Sequence, residues 1–137
     1  MIYKGSKHID DRGIITFNNE FDASPVKRIY TIENNSIDFI RGWQGHAIEQ
    51  RWFSCMKGSF DIAVIKIDNF ENPSKELNPV YFKLNTKSLD YLHIDGGYIT
   101  AIKALEPESK LLVLADYALG EINDEYRFPL ETFKVEL

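Results

Sequence analysis

Residues 51–67 read RWFSCMKGSFDIAVIKI, and this stretch gives the strongest indication of the fold class. It contains two apolar, β-rich runs, Arg51 to Met56 and Phe60 to Ile67, on either side of Lys57-Gly58. A glycine in a two-residue connection between such runs is typical of a tight turn between strands. The segment therefore predicts a β-hairpin.

Runs of the same kind occur along most of the chain. They are short and apolar, and turn residues such as Asp95-Gly96-Gly97 separate them. The further predicted strands are residues 14–17, 26–32, 80–84, 91–94, 98–105 and 111–116. Short strands at regular spacing, without sustained helical periodicity, predict an all-β sandwich or barrel.

Composition narrows the class of protein. The chain has 137 residues, so we expect residues 1–137 to form a single domain, and its 44% hydrophobic content is enough for a packed core. Its 21 acidic residues outnumber 16 basic ones, and no basic run exists that would follow a nucleic acid backbone. The lone cysteine, the opening without a signal peptide and the short apolar runs predict a cytoplasmic protein without a membrane partner.

The densest group of polar and aromatic side chains lies between Arg41 and Trp52. If this segment is extended, side chains alternate between two faces, and one face carries Gln44, His46, Ile48, Gln50 and Trp52. Amides and an imidazole suit the wall of a polar cavity that holds a hydroxyl-rich ligand. A lone histidine is also often a hydrogen-bonded structural residue, and periodicity does not separate the two interpretations.

Residues 41–61, RGWQGHAIEQRWFSCMKGSFD, resemble a known family without a gap. They are similar to the cupin 3,4-ketoisomerases that act on dTDP-4-keto-6-deoxyglucose, the WxcM-like family, whose pattern is Arg-Gly-x-His-Ala-His, a glutamine and Gly-Ser-Phe-Asp. The likeness to the dTDP-4-dehydrorhamnose 3,5-epimerases is more distant. Looser matches at residues 11–13, 27–30, 94–97 and 121–126 extend the resemblance over most of the chain.

The resemblance implies a homodimeric cupin jelly-roll barrel that binds a nucleotide-linked 4-keto sugar in deoxysugar and polysaccharide biosynthesis. The implied reaction is proton transfer on the carbon next to a ketone, through an enediolate. His46 is then the candidate base and Tyr30 the candidate proton donor. Arg41, Gln44 and Gln50 are the candidate substrate-binding residues, with Arg41 holding a phosphate or the enolate oxygen.

One position departs from the family pattern. Gln44 stands where the first motif histidine is expected, and an amide does not accept a proton near neutral pH. Two hypotheses follow. The chain is a ketoisomerase or epimerase with His46 as its base, or it is a catalytically degenerate cupin that binds a sugar nucleotide or a partner enzyme without turnover.

The same positions bear on metal binding. Metal-dependent cupins use a His-x-His pair, a carboxylate and a later histidine, and this chain has Gln44, His46, Gln50 and Thr100 at the corresponding places. Neutral amides and hydroxyls are poor ligands for transition metals. We therefore expect no metal and no other cofactor.

Overall fold

The computed structural model describes residues 1–137 and is built almost entirely from β-strands, which confirms the all-β prediction. The strands are β1 Ile2–Tyr3, β2 Ser6–Asp10, β3 Gly13–Phe17, β4 Arg28–Ile32, β5 Ile40–His46, β6 Arg51–Lys57, β7 Ser59–Lys66, β8 Val80–Asn85, β9 Tyr91–Ile94, β10 Tyr98–Ala104, β11 Lys110–Ala115 and β12 Glu125–Arg127. A 3₁₀ turn covers Leu130–Thr132. No helix is long and apolar enough to cross a membrane.

Two five-stranded antiparallel sheets face each other. Sheet I has the strand order β1-β9-β6-β11-β4, and sheet II has the order β12-β5-β10-β7-β8. Strands β2 and β3 form a separate two-stranded hairpin. The eight strands predicted from the sequence are present with small shifts at their ends, whereas β1, β2, β5 and β12 were not predicted as strands.

The predicted hairpin at residues 51–67 is wrong in its pairing. The tight turn is present, and Gly58 adopts the left-handed backbone conformation with φ of 72°. However, β6 pairs with β9 and β11 of sheet I, whereas β7 pairs with β8 and β10 of sheet II. Both runs are buried along most of their length, so each is a central strand that needs neighbours on both sides. The turn therefore carries the chain from one sheet to the other.

The main core lies between the sheets. On sheet I every second residue points inward, as in Phe53 and Cys55 of β6 or Leu111 and Val113 of β11. The facing side chains of sheet II include Phe60, Ile62, Leu84 and Ile102, all almost fully buried. Burying each large apolar side chain contributes about 1.5–3 kcal/mol, so this layer is the main source of stability.

A second apolar layer covers the outer face of sheet II. The C-terminal segment packs there through Phe133, whose ring meets Trp43 edge-on at 5.7 Å. The indole Nε1–H of Trp43 also donates a hydrogen bond to the carbonyl oxygen of Leu130 over 3.0 Å. These contacts tie the end of the chain to β5 and help to hold β12 beside it. Residues 124–127 are thereby brought to the polar end of the sandwich.

Candidate active site

A cavity of about 520 Å³ opens between β4 of sheet I and β5 and β12 of sheet II. The cross-strand register of sheet I explains its polar wall. Arg51, Ala115 and Arg28 form the last inward-facing row, and Tyr30 lies in the row before it. The inner face of the sheet thus changes from apolar to cationic at this end, with a small alanine between the two arginines.

A β-bulge shapes the opposite wall. Gln44 pairs with Thr100 and Arg41 pairs with Ile102, so two residues of β5 lie opposite one residue of β10 between these pairs. An extra residue reverses the alternation of side chains along the strand. Arg41 and Gln44, three positions apart, therefore both line the cavity.

The cavity is positively charged although the chain is acidic. Its lining contains four arginines and two glutamates, whereas the whole chain has a net charge of −5. The charged lining residues are Arg28, Arg41, Arg51, Arg127, Glu33 and Glu125. Charge of one sign inside a cleft attracts ligands of the opposite sign. The site therefore suits an anionic ligand.

His46 is held by a buried carboxylate that follows it by 78 residues. Its Nδ1–H donates to Asp124 Oδ1 over 2.8 Å, and both side chains are more than nine-tenths buried. Asp124 Oδ2 accepts the backbone N–H groups of Ile48 and Glu49, each over 2.8 Å. Burial raises the pKa of Asp124, but hydrogen bonds from His46, Glu49 and Ile48 outweigh it and leave the pKa below its usual value. The carboxylate thus fixes the imidazole orientation, and Nε2 is the nitrogen that carries the lone pair in the neutral form of the ring.

The other nitrogen of His46 meets a buried ion pair. Arg51 Nη2 donates to His46 Nε2, and Arg51 Nε donates to Glu49 Oε2 over 3.1 Å. Glu49 Oε2 itself lies 3.4 Å from His46 Nε2. All three side chains are buried. The imidazole is therefore held at both nitrogens.

Gln44 is tied to the rim of the cavity. Its Nε2–H donates to Glu125 Oε1 over 2.9 Å, and the same oxygen accepts Arg127 Nε–H over 2.6 Å. Burial raises the pKa of Glu125, but the hydrogen bond and charge of Arg127 outweigh it and lower the pKa overall. Gln44 thus presents an amide beside a carboxylate that stays ionised at neutral pH.

Tyr30 lies in the same cavity, next to the arginines. The guanidinium carbon of Arg28 stands 4.6 Å from the centre of its ring. Burial raises the pKa of the Tyr30 hydroxyl, and the positive charges of Arg51 and Arg28 only partly oppose this. The phenol therefore keeps its proton at neutral pH and can donate it.

Gln50 does not face the cavity, so the expectation that it shares a face with Gln44 and His46 is wrong. Its backbone N–H and side-chain Nε2 donate to the two carboxylate oxygens of Asp116 over 2.8 and 3.2 Å, and its Oε1 lies 2.7 Å from His93 Nε2. β5 ends at His46 and β6 begins at Arg51, with a turn between them. The alternation therefore restarts, and Arg51 instead of Gln50 points inward.

The cavity brings together four of the five predicted site residues, namely Tyr30, Arg41, Gln44 and His46. The sequence analysis missed the other charged groups of the site, which are Arg28, Glu33, Glu49, Arg51, Asp124, Glu125 and Arg127. Arg28 could have been found, since it lies two positions before Tyr30 on a predicted strand and residues two positions apart share a face. Asp124 had none, because nothing local connects it to His46.

No group of three or more histidine, cysteine or carboxylate side chains is arranged to hold a metal ion. His46, Glu49 and Asp124 lie close together, but each is already hydrogen-bonded to another of these side chains or to Arg51. The expectation that the protein carries no metal stays a prediction.

Two facing antiparallel sheets with a polar cavity at one end define a cupin-type jelly roll. The family described as FdtA, WxcM-like, C-terminal, matches residues 2–135. The chain therefore belongs to the WxcM-like family of sugar-nucleotide 3,4-ketoisomerases. No curated protein sequence matches the chain.

Solved structures agree with this family. A histidine-to-asparagine mutant of the 3,4-ketoisomerase QdtA from Thermoanaerobacterium thermosaccharolyticum, in complex with TDP-4-keto-6-deoxyglucose, is 25% identical with a TM-score of 0.69. The alignment covers 93% of this chain and 86% of QdtA. The TDP-quinovose 3,4-ketoisomerase WlaRB from Campylobacter jejuni is also 25% identical, with a TM-score of 0.66 and coverage of 93% and 92%.

The fold extends to a more distant class of enzymes. The RmlC epimerase of Mycobacterium tuberculosis is 16% identical with a TM-score of 0.68, over 92% of this chain and 66% of the epimerase. At this identity the likeness concerns the fold alone. It confirms the cupin-type jelly roll predicted from the sequence.

Proposed function

We propose that this protein is a sugar-nucleotide ketoisomerase or epimerase that moves a proton on the carbon next to the ketone of a nucleotide-linked 4-keto-6-deoxyhexose. The observation that carries the proposal is the buried Asp124–His46 pair in the wall of a cationic cavity. Membership of the 3,4-ketoisomerase family and the two ketoisomerase structures at 25% identity support the substrate class.

His46 is the proposed base. Asp124 holds Nδ1–H, so Nε2 carries the lone pair that removes the proton. The ketone makes the neighbouring C–H acidic, because the electron pair that is released can move onto the carbonyl oxygen. Asp124 also stabilises the imidazolium that forms, as a carboxylate does for a paired histidine.

Tyr30 is the proposed proton donor, and the arginines are the proposed anion-binding groups. A phenol whose pKa is raised by burial remains protonated and donates a hydrogen bond to the sugar or a proton to the enediolate. Arg41 lines the same cavity, and its Nε–H is buried without a hydrogen-bond partner within the chain. We propose that Arg41 holds a phosphate group and that the Gln44 amide contacts the sugar.

A second candidate function is sugar-nucleotide binding without turnover. Gln44 replaces a family histidine, and its amide is bonded to Glu125. In addition, Arg51 occupies the free nitrogen of His46. A protein that had lost the reaction but kept the ligand would show the same cationic cavity.

Isotope exchange separates these two functions. The purified protein is incubated with dTDP-4-keto-6-deoxyglucose in deuterated water, and NMR follows the C3 and C5 protons of the sugar. Exchange faster than in a protein-free sample is expected for the isomerase or epimerase. Binding of TDP without any exchange would contradict the proposal and favour the binding protein.

We further propose a homodimer. The β2–β3 hairpin pairs with neither main sheet, and it exposes Ile9, Ile14 and Ile15, each at least 59% accessible. Exposed apolar groups of this kind mark interaction surfaces. Light scattering is expected to give twice the 15.9 kDa chain mass, and a monomer at micromolar concentrations would contradict the proposal.

A further inference from the structure

Arg51 stands between the two proposed catalytic side chains. Its Nη2 contacts His46 Nε2, and its charge partly opposes the rise that burial causes in the pKa of the Tyr30 hydroxyl. Arg51 is also buried, whereas Arg127 at the rim keeps 74% of its side chain exposed. A buried guanidinium in a catalytic wall needs an explanation, because desolvating a charge is costly.

The contact has a direct consequence for the base. A nitrogen lone pair that accepts a hydrogen bond from a guanidinium is not available to accept a proton from carbon. The other nitrogen of His46 is bonded to Asp124, so the imidazole has no alternative lone pair. His46 becomes a base only after Arg51 Nη2 has moved to another acceptor.

The substrate supplies that acceptor. The guanidinium has five N–H donors in a planar fork, and Glu49 holds the Nε–H edge over 3.1 Å. With Nε fixed, a small rotation of the far end moves Nη2 away from His46 while Arg51 remains in the cavity wall. A carbonyl oxygen on the carbon next to the one that His46 deprotonates lies within reach of this donor, because the same Nη2 touches the proton-accepting nitrogen in the free protein.

We propose that Arg51 is a catalytic residue that leaves His46 when substrate binds and donates to the oxygen that becomes anionic. The inference rests on the proposed function. In the step, the proton passes from carbon to His46 Nε2, and the C–H electron pair becomes the carbon–carbon double bond of the enediolate. The carbonyl π pair moves onto the oxygen, where the Arg51 guanidinium stabilises it. The ketone shifts when a proton returns to the former carbonyl carbon and the hydroxyl proton on the neighbouring carbon passes to the former carbonyl oxygen. Return of the proton to the opposite face of the original carbon inverts that centre instead.

Glu49 has a positioning role in this scheme. It anchors Arg51 Nε and lies 3.4 Å from His46 Nε2, so it can accept from the imidazolium once Arg51 Nη2 has moved. Binding of the correct sugar therefore frees the base and supplies the oxyanion donor in one movement. A nucleotide without the keto sugar lacks the acceptor and leaves His46 occupied.

The test compares Arg51→Gln with the wild-type protein in the C–H exchange assay at saturating substrate. Loss of one oxyanion donor is expected to lower the maximal exchange rate by about 10²-fold or more, with TDP affinity changed by less than about 5-fold. Arg28→Gln, which removes a cavity charge without touching His46, is expected to act mainly through KM. Lys83→Gln, at an exposed position of β8, controls for the loss of one positive charge.

Two further variants keep the test decisive if Arg51→Gln is unstable. The double variant Glu49→Gln/Arg51→Gln leaves no unpaired buried carboxylate, and it is expected to show the same loss of rate. Arg51→Lys keeps the charge without the planar fork, so its exchange rate is expected to lie between the rates of the wild-type protein and Arg51→Gln. If folded Arg51→Gln exchanges C–H protons at the wild-type rate, this inference is overturned and the proposed function is not affected. Absence of exchange in the wild-type protein overturns the proposed function and the inference with it.

Discussion

The two larger openings of the sandwich are lined by side chains of opposite chemistry. One lies between β4 and the β5–β12 pair, holds about 520 Å³ and is lined mainly by charged and polar residues. The other is lined by β7, β8 and β9, holds about 340 Å³, and eight of its eleven lining residues are hydrophobic. Strands of both sheets contribute to the walls of each opening, and the polarity of the lining residues differs between the two openings.

The difference shows what a polar site requires of its surroundings. At the apolar opening, Ile94 and Phe82 need only neighbours of suitable shape. At the polar opening, the buried side chains of His46 and Arg51 each have a buried carboxylate partner, Asp124 for His46 and Glu49 for Arg51. Buried polar groups without such partners would cost several kcal/mol each. The C-terminal segment therefore matters for the polar opening because it delivers Asp124.

The strongest test of the difference between the two openings replaces one histidine at each. His46→Ala at the polar opening is expected to lower C–H exchange by about 10²-fold or more, because the base is lost. His93→Ala at the apolar opening is expected to change exchange by less than about 3-fold. Exchange by NMR and TDP affinity by calorimetry are measured for both. Equal effects of the two substitutions would show that the polar opening is not the reaction site.

Gln44→His tests whether position 44 at the polar opening has a catalytic role. It rebuilds the His-x-His pair of the family, with His46 as the second histidine of the pair. We expect ketoisomerisation of dTDP-4-keto-6-deoxyglucose to rise by up to about 10²-fold, within the contribution of a general base. Product analysis by NMR measures the change. An unchanged rate would mean that position 44 has only a binding role.

Ile65→Val addresses the apolar side. Ile65 is 1% exposed and lines the apolar opening, so loss of one methylene is expected to lower the free energy of unfolding by about 0.5–1.5 kcal/mol. Urea unfolding followed by tryptophan fluorescence measures it. C–H exchange is expected to stay at the wild-type rate, and a parallel loss of exchange would show that the two openings are coupled.

The smallest effect is expected on the stability of the fold at acid pH. The folded-state pKa of Asp124 lies below its ordinary value of 3.8, so its ionisation stabilises the fold above that pH. This stabilisation is lost as the pH falls through the lowered pKa. Urea unfolding of the wild type and Asp124→Asn between pH 6 and about pH 2 measures the difference. The variant should show a shallower decline below about pH 4, and superimposable slopes would contradict the pairing with His46.

The sequence predicted the strands far better than their pairing. The two apolar, β-rich runs in residues 51–67 predicted two strands, and both strands and the turn at Gly58 are where they were expected. Whether the two strands pair with each other depends on which neighbours satisfy their backbone groups. Those neighbours, β9 and β11 for β6 and β10 and β8 for β7, lie far along the chain.

The candidate site divides in a similar way. Tyr30, Arg41, Gln44 and His46 were identified from local pattern and family resemblance, and they line the cavity. Gln50 was assigned to the same face because the alternation was carried through a turn. A single break in a strand reverses every later side chain.

The sequence by itself determined that this chain is an all-β protein of the WxcM-like family with a polar segment at residues 41–46. Local composition suffices for that, because apolar alternation and turn residues act over a few positions. Only the tertiary structure decided that Arg51 replaces Gln50 in the wall and that a bulge turns Arg41 inward. It also decided that Asp124 holds His46 across 78 residues. The reason is that the direction of a side chain depends on where strands end and what they pair with, and those contacts are long-range.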